Sequence, residues 1–459
     1  MKAIVFRRAF SLFFRVCFLA LRYTYIQNLH QNIFSMIFNL TPSSLEAVQE
    51  ALEQVINPQS DIRIKIEGEL QDGHPEWLEF MLKHELSEYV EAVLKEKVFV
   101  LNNIMMNNGL GSVGLLFTLP ERLVQMVLET CSVESTMEWF NTICHASTAE
   151  ARFVAVLWGL QCKEHCQLSP KIEVMPFESF ESSSKEWIRE HYTPEGMSKK
   201  LGTPLVPFVT LQEPDSILII KTKIEPLFES VDARATDDTS LNKDRELLSE
   251  IIQILTFVGP CSVATGAMWF EFVDSNIRKL EIGRQTIQPG QEIFPSSFKN
   301  ISEFDNDVAK QVVNDYLNLD SKLQQKFLVS AGRLNNAIRR SNIGNQAIEL
   351  VTAMESLVVG ADGKNGEITF KIALRTALLL GNTFSERDHI RKLIKTLYAV
   401  RSDMVHEGAV KPENLKKFGL EQINEVFQIC ASIAQKIITT GKIPDWNSLE
   451  LGGGVKSTD

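Results

Sequence analysis

The strongest constraint on the fold comes from the regular spacing of apolar residues in the last third of the sequence. From about residue 301 to residue 440, apolar side chains recur at helical intervals, and Gly, Asn or Pro residues interrupt the pattern. This spacing is typical of amphipathic helices joined by short connections. We therefore predict an all-α helical bundle, with helices near residues 303–317, 320–340, 345–359, 367–380, 386–406 and 419–440.

Residues 41–300 carry a mixed pattern of strand and helix signals. Strict alternation over residues 61–67 (DIRIKIE) predicts a half-buried strand, and residues 230–244 form a polar stretch typical of a loop. Strands are also predicted at 216–224 and 261–273, and helices at 76–97, 121–165 and 244–257. The predicted fold class is therefore an α+β N-terminal region followed by the all-α bundle.

The charge of the chain is distributed unevenly. The chain has 459 residues, 44% of them hydrophobic and 23% charged, which excludes a disordered protein and suggests two or three domains. The formal net charge is -11, but residues 41–320 carry a net charge of -21 and residues 321–440 carry +6. An acidic body with a basic helical end suggests a polyanionic partner confined to that end.

The two ends of the chain are set apart from the fold. Residues 1–40 contain five Lys or Arg and no acidic residue, and Arg15 interrupts their apolar run. The pieces are shorter than the roughly 20 apolar residues that span a bilayer. A membrane segment, a basic amphipathic surface helix and an extension ahead of the structured protein remain alternatives, and no stable membrane association is expected. Residues 441–459 are expected to form a flexible tail.

Cysteine usage points to a reducing compartment. Seven cysteines are spread over the whole chain, too sparsely for a disulfide scaffold, so a cytoplasmic location is expected. Cys162, His165 and Cys166 have helical spacing, but no paired Cys-x-x-Cys motifs accompany them. No metal site is therefore expected there.

Arg401 departs from the helical pattern around it. On a helix with 100° per residue and Ile390 at zero, Arg401 falls at about 20°, in the middle of an apolar stripe. The stripe comprises Leu393, Ile394, Leu397, Val400, Met404 and Val405. A buried guanidinium without a partner costs several kcal/mol. We therefore expect a counter-charge, an open cleft or an anionic ligand to face Arg401.

His406 follows five residues later, at about 160° on the same projection. Gly408 is expected to end the helix. We expect His406 to lie in the last turn or just beyond it, where the chain can bend the imidazole back toward Arg401. The alternative is a structural arginine followed by a helix-end histidine that the helix dipole favours.

The segment around this pair resembles the Arg-x4-His signature of the HEPN superfamily of helical ribonucleases, especially its Apea-like branch. The signature lies in AVRSDMVHEG at 399–408, and the segments around it follow in a similar order: AIELVTAMESLVV at 347–359, KIALRTALLLG at 371–381 and LIKTLYAVRSDMVHEG at 393–408. The resemblance covers most of residues 301–440. Many members carry Asn, Asp or His directly after the arginine, where this chain has Ser402.

The resemblance implies a metal-independent endoribonuclease without a cofactor, working as a homodimer whose two signature segments face one cleft. RNA supplies its own nucleophile, the 2′-hydroxyl beside the scissile phosphate. His406 can then act as general acid or base, and Arg401 can bind phosphate oxygens in a bidentate manner. The expected products carry 2′,3′-cyclic phosphate and 5′-hydroxyl ends, and DNA is expected to be bound but not cut.

Five further residues are expected to support this site: Ser402, Asp403, Glu355, Arg375 and Tyr398. Glu355 lies beside the apolar face of its helix and is expected to meet a cation, either Arg401 or Arg375. Arg375 lies in an almost wholly apolar helix, so a role in maintaining the fold is favoured. Ser402 and Asp403 could hydrogen-bond RNA or His406, although helix-surface polar residues are common.

Residues 41–300 contain no motif that indicates a chemistry. In proteins that resemble this chain, a domain in this position often senses a phage or cellular trigger, in antiviral defence or in a toxin. Two other functions stay open. One is a catalytically silent helical module that binds RNA or a nucleotide, and the other is a structural or partner-binding bundle in which Arg401 joins a buried network.

Overall fold

The fold mixes helices with antiparallel sheet, as a computed structural model of the chain shows. It describes residues 37–70, 75–101, 104–107, 112–182, 184–192, 214–230, 239–280, 288–289, 304–359 and 368–453. The helices are α1 Pro42–Ile56, α2 Asp61–Glu69, α3 Pro75–Val93, α4 Leu115–Thr130, α5 Val133–Cys144, α6 Ser184–Tyr192, α7 Thr239–Ile254, α8 Ser275–Arg278, α9 Asn306–Leu317, α10 Ser321–Arg339, α11 Ile343–Val358, α12 Ile368–Leu380, α13 Phe384–Glu407, α14 Pro412–Leu415, α15 Leu420–Thr440 and α16 Trp446–Glu450. The strands are β1 Ile104–Asn107, β2 Ser112–Gly114, β3 Ala149–Trp158, β4 Cys166–Gln167, β5 Ile172–Pro176, β6 Ser216–Ile224, β7 Phe228–Ser230, β8 Ala264–Phe272 and β9 Gln288–Pro289.

The chain divides into two compact units, each built from several stretches of sequence. Unit 1 comprises the described residues of Met1–Arg152, Thr222–Leu241 and Phe270–Gln285, and unit 2 those of Phe153–Lys221, Asn242–Trp269 and Thr286–Asp459. The four functional regions that we expect from the sequence, 1–40, 41–300, 301–440 and 441–459, stay a prediction, because a division by compactness does not assign a function to a region.

Unit 1 is a small helical assembly with a three-stranded antiparallel sheet. The sheet order is β2-β1-β7, and helices α1, α3 and α4 pack together. The apolar faces of these helices are fully buried, as the positions of Val48, Leu52, Leu86, Val90, Leu123 and Val127 show. Burial of this apolar surface is the main source of stability for the unit.

The predicted strand at residues 61–67 is wrong, because this segment is helix α2. The Ser60 side chain caps the helix by accepting a hydrogen bond from the Arg63 amide, at 3.2 Å. Arg63 and Glu67 then form an i,i+4 ion pair, at 2.8 Å. Ile64 is 51% exposed, so the alternating pattern has no buried sheet face to occupy. Local capping and ion pairing therefore decide the conformation.

The end of the helical prediction at 121–165 is also wrong, because β3 occupies Ala149–Trp158. Eight of its ten residues are buried, including Val154 and Val156. A strand covered on both faces has no alternation, so its apolar run resembles a buried helix in the sequence. The strands predicted at 216–224 and 261–273 are confirmed as β6 and, within two or three residues at each end, as β8.

A six-stranded sheet, most of whose residues belong to unit 2, has the order β4-β5-β6-β3-β8-β9. The β4–β5 and β5–β6 pairs are antiparallel, and Ile172 of β5 stands opposite Ile220 of β6. Its apolar core includes the buried residues Val154, Val156, Trp158, Phe177, Phe180, Ile188, Ile217, Ile219 and Trp269. These side chains fix the sheet within unit 2.

The helices predicted between residues 303 and 440 are confirmed, each within three residues of its expected limits. Side chains at the helix starts explain where they begin: Asp320 caps α10, Asn342 caps α11, and Thr383 with Glu386 forms a capping box on α13. Helix α11 packs against α10, α13 and α15, and α12 packs against α13. This packing gives α13, which carries Arg401 and His406, a rigid support.

Some expectations about the chain ends fall outside the described residues. The basic and apolar stretch 1–36 and residues 454–459 are among these. Residues 441–453 differ from the expected flexible tail, because they contain α16, in which Trp446 and Leu449 are buried. Within the part of the chain that the structure describes, no helix is long and apolar enough to cross a membrane.

Candidate functional site

Helix α13 positions both signature residues. It runs for 24 residues and ends at Gly408, whose φ of 72° closes the helix in the left-handed conformation that glycine favours. The expected helix end is therefore confirmed, and His406 lies in the last turn. A cationic imidazole is favoured at that position by the helix dipole.

Arg401 lies half-buried on α13. Among the described residues it forms no ion pair and no hydrogen bond, so the chain itself supplies no counter-ion in direct contact. The nearest recorded effect of its charge is on Tyr398, one turn earlier, whose pKa it lowers. Because an unpaired guanidinium in partly desolvated surroundings is costly, an anionic ligand is the natural counter-charge.

Tyr398 and Glu355 form a polar pair next to Arg401. The Tyr398 hydroxyl donates a hydrogen bond to Glu355 Oε1, at 3.1 Å, and so links α13 to α11. Burial and the neighbouring Glu355 carboxylate raise the pKa of Tyr398 well above its usual value, more than Arg401 lowers it. The hydroxyl therefore stays protonated at neutral pH and keeps donating.

The expected cationic partner of Glu355 is wrong where Arg375 is concerned, because Arg375 turns toward the C-terminal helix. Its side chain is 1% exposed, and its Nε donates to Glu450 Oε1 at 2.7 Å. Its Nη1 donates to the Val358 carbonyl at 3.2 Å, and its guanidinium lies 5.4 Å from the Trp446 ring centroid. These contacts tie α12 to α16 and to the end of α11, which fits a role in maintaining the fold.

Asp403 is engaged in holding the turn that follows α13. It is 7% exposed, and its Oδ2 accepts from the Lys411 amide at 3.0 Å and from Asn414 Nδ2 at 2.6 Å. These hydrogen bonds lower the pKa of Asp403. The expectation that Asp403 bonds RNA or His406 is therefore not supported by its contacts. Ser402 is exposed and forms no hydrogen bond with the described residues.

The expected bend of His406 toward Arg401 does not occur. The helix continues through Glu407, so the two side chains leave α13 about 140° apart and about 7.5 Å apart along its axis. Arg401 lies on the partly buried side and His406 is exposed. One copy of α13 therefore presents the guanidinium and the imidazole on different faces.

His406 shares its face of α13 with a row of polar and basic residues. At 100° per residue, Ser402 lies about 40° and Lys395 about 20° from His406, and Arg391 about 60°. Lys395 is exposed, and its Nζ lies 5.9 Å from the ring centroid of Phe370, which is 48% exposed. We name these four α13 residues and Phe370 the α13 outer face.

The α13 outer face keeps a positive charge. Asp388 is shared by two cations, Arg391 at 2.7 Å and Lys392 at 2.6 Å, and Lys395 has no ion-pair partner among the described residues. Lys395, Arg391 and Phe370 were not among the residues predicted from the sequence. The helical projection that located Arg401 would have found the two basic residues, whereas the proximity of Phe370 depends on the packing of α12 against α13.

Fold and site together define a mixed α and β protein whose C-terminal helices carry an exposed histidine and a half-buried arginine on one helix end. The sequence matches no protein-family model, no curated protein and no solved structure.

Proposed function

We propose that this protein is a metal-independent endoribonuclease of the HEPN type. The observation that supports it best is the state of the two signature side chains. Arg401 is half-buried without a counter-ion among the described residues, and His406 is exposed without a partner among them. A phosphate group of RNA would supply the missing charge for Arg401, and an exposed imidazole can exchange protons with a substrate.

The reaction needs no group beyond these side chains and the RNA. A neutral imidazole accepts the proton of the 2′-hydroxyl while the 2′-oxygen forms a bond to phosphorus. The bond from phosphorus to the 5′-oxygen then breaks, and a protonated imidazole donates a proton to that oxygen. Arg401 stabilises the negative charge that develops on the phosphorane oxygens. The products are a 2′,3′-cyclic phosphate and a 5′-hydroxyl.

The orientation of the two residues supports a homodimeric site. Because they diverge by about 140° around α13, one helix does not direct both groups at the same phosphate. Two copies related by a twofold axis would bring Arg401 of one α13 and His406 of the other into one cleft. Such a cleft would also contain two imidazoles, one as base and one as acid.

The α13 outer face offers a path for the RNA on either side of His406. Lys395 lies about 16 Å from His406 along the helix axis, a distance that a few nucleotides of single strand can cover. Lys395 can bind a phosphate, and the exposed ring of Phe370 beside it can stack on a base. This combination favours single-stranded RNA.

The setting of the activity is a further part of the proposal. We place it in the cytoplasm, supported by the six cysteines of the described residues, all of which are free thiols. By resemblance, the region 41–300 would sense a phage or cellular trigger and restrain the nuclease, in antiviral defence or in a toxin. Its acidic character would allow it to mask the basic helical end.

The test is an RNA cleavage assay in EDTA with mixed cellular RNA and the full chain. The wild type is compared with His406→Ala and with a matched control, His389→Ala. His389 is an exposed histidine on the same helix, and its ion pair with Glu425, at 2.7 Å, contributes little because it is exposed. We expect cleavage by the wild type and by the control but not by His406→Ala. Equal cleavage by all three proteins would contradict the assignment.

The second candidate function is RNA binding without cleavage. The divergence of Arg401 and His406 on one helix favours it, because the α13 outer face can bind a strand without any chemistry. A filter-binding measurement on the same proteins separates the two functions. RNA bound by the wild type and recovered intact would select the binding module.

A further inference from the structure

A cleft in unit 2 is separate from the residues discussed so far. It lies between α7, the beginning of β8 and α10, is open to solvent, and has a volume of about 370 Å³. This is at the lower end of the roughly 300–1,000 Å³ that small-molecule sites occupy. A small molecule would fit the cleft, and a folded partner would not.

The chemistry of the lining is uneven in a way that selects a ligand. Arg339 is its single charged residue, and no carboxylate lines the described cleft. The amides of Gln253 and Asn336 provide both donors and acceptors, and Ile252 and Met268 contribute an apolar wall. A ligand that matches this lining has an anionic group, a flat apolar surface and hydrogen-bonding edges.

The floor of the cleft is fixed by buried polar contacts. Asn335, 9% exposed, donates from Nδ2 to the Val263 carbonyl at 2.7 Å and to Thr256 Oγ1 at 3.3 Å. These bonds join α10 to the chain that enters β8. The cleft is therefore formed before any ligand arrives, which lowers the entropic cost of binding.

Gly332 is the second observation that points to a ligand. It lies in the interior of α10, where glycine destabilises a helix relative to alanine, and it lines the cleft. A Cβ placed there would meet only Gln253 Oε1, at 3.6 Å, which is an ordinary contact. Packing of the protein therefore does not require the glycine. Its effect is to leave the cleft open and to let a ligand approach the helix backbone.

We infer that this cleft is a binding site for a mononucleotide. The phosphate would bind the Arg339 guanidinium, whose planar donors match phosphate oxygens. The base would lie against the apolar wall of Ile252 and Met268, with its edge bonded by Gln253 and Asn336. The site is independent of the nuclease proposal, because none of these residues belongs to α13.

The experiment is isothermal titration calorimetry of the full chain with the four 5′-mononucleotides, the four nucleosides and inorganic phosphate. We expect at least one mononucleotide to bind more tightly than its nucleoside and than phosphate. R339Q should weaken that mononucleotide about tenfold or more, the usual effect of losing a charged hydrogen bond, and should leave the nucleoside unchanged. Absence of binding by every mononucleotide would overturn the inference, as would phosphate binding equally well.

Glycine variants place the ligand in the cleft. Gly332→Leu should fill the open space and abolish binding, while Gly332→Ala should retain it and be slightly more stable. The matched control is Gly68→Leu, at an exposed glycine of α2 with nothing within 4 Å of its Cβ position. Unchanged binding by a folded Gly332→Leu would overturn the location. If Gly332→Leu fails to fold, R339Q alone decides.

Discussion

Replacing Arg375 by methionine should destabilise unit 2 by about 3 kcal/mol. The change keeps a long side chain but removes the donors to Glu450 Oε1 and to the Val358 carbonyl. Breaking a buried ion pair by removing one partner costs about 3–5 kcal/mol, because the other charge is left unpaired. Glu450 keeps 26% of its side chain exposed and is partly rehydrated, so the lower end of that range applies.

The assay is urea unfolding followed by far-ultraviolet circular dichroism, for the wild type, Arg375→Met, Glu450→Leu and the double variant. Glu450→Leu should cost at least as much, because Arg375 is the more deeply buried partner. The double variant should lose less than the two single losses combined, since no unpaired charge is left. A loss under about 1 kcal/mol for Arg375→Met would refute the structural role, as would lost RNA cleavage in a variant that stays folded.

Three further predictions concern α13. Tyr398→Phe removes the hydrogen bond to Glu355 and should lower the free energy of unfolding by about 1 kcal/mol, measured by urea unfolding. Asp403 has a lowered pKa in the folded state, so its stabilisation is fully present above the ordinary value of about 3.9 and is lost as the pH falls through the folded value. The difference in urea midpoint between wild type and Asp403→Asn should therefore disappear in acid, and a constant difference would contradict this. Lys395→Ala should weaken RNA binding and reduce the salt dependence by about 0.7 in logarithmic slope, whereas Phe370→Ala should weaken binding by about 1–3 kcal/mol without changing that slope.

The helical half of the fold could be predicted from the sequence because its signals are local. Capping residues such as Thr383 and the glycine at 408 mark helix ends that the structure shows within three residues. The failures were segments whose conformation depends on distant contacts. Residues 61–67 lack the sheet neighbour that their alternation anticipates, and β3 is buried on both faces, which hides its strand periodicity.

The candidate site could be predicted only in part. The helical projection located Arg401 and the final turn containing His406, because both follow from the geometry of one helix. The partners of Glu355, Arg375 and Asp403 depend on which helices pack together, and spacing along the chain does not contain that information. Arg375 found its carboxylate 75 residues away, in a stretch expected to be a tail.

The central claim is that Arg401 and His406 cleave RNA through its 2′-hydroxyl. The most direct measurement is mass spectrometry of the 3′ ends left after incubating single-stranded RNA with the wild type in EDTA, beside His406→Ala and a 2′-deoxy version of the same strand. The account predicts 2′,3′-cyclic phosphate ends from the wild type on RNA, and no cleavage in the other two samples. Cleavage of the 2′-deoxy strand, or 3′-hydroxyl ends on the RNA, would contradict it.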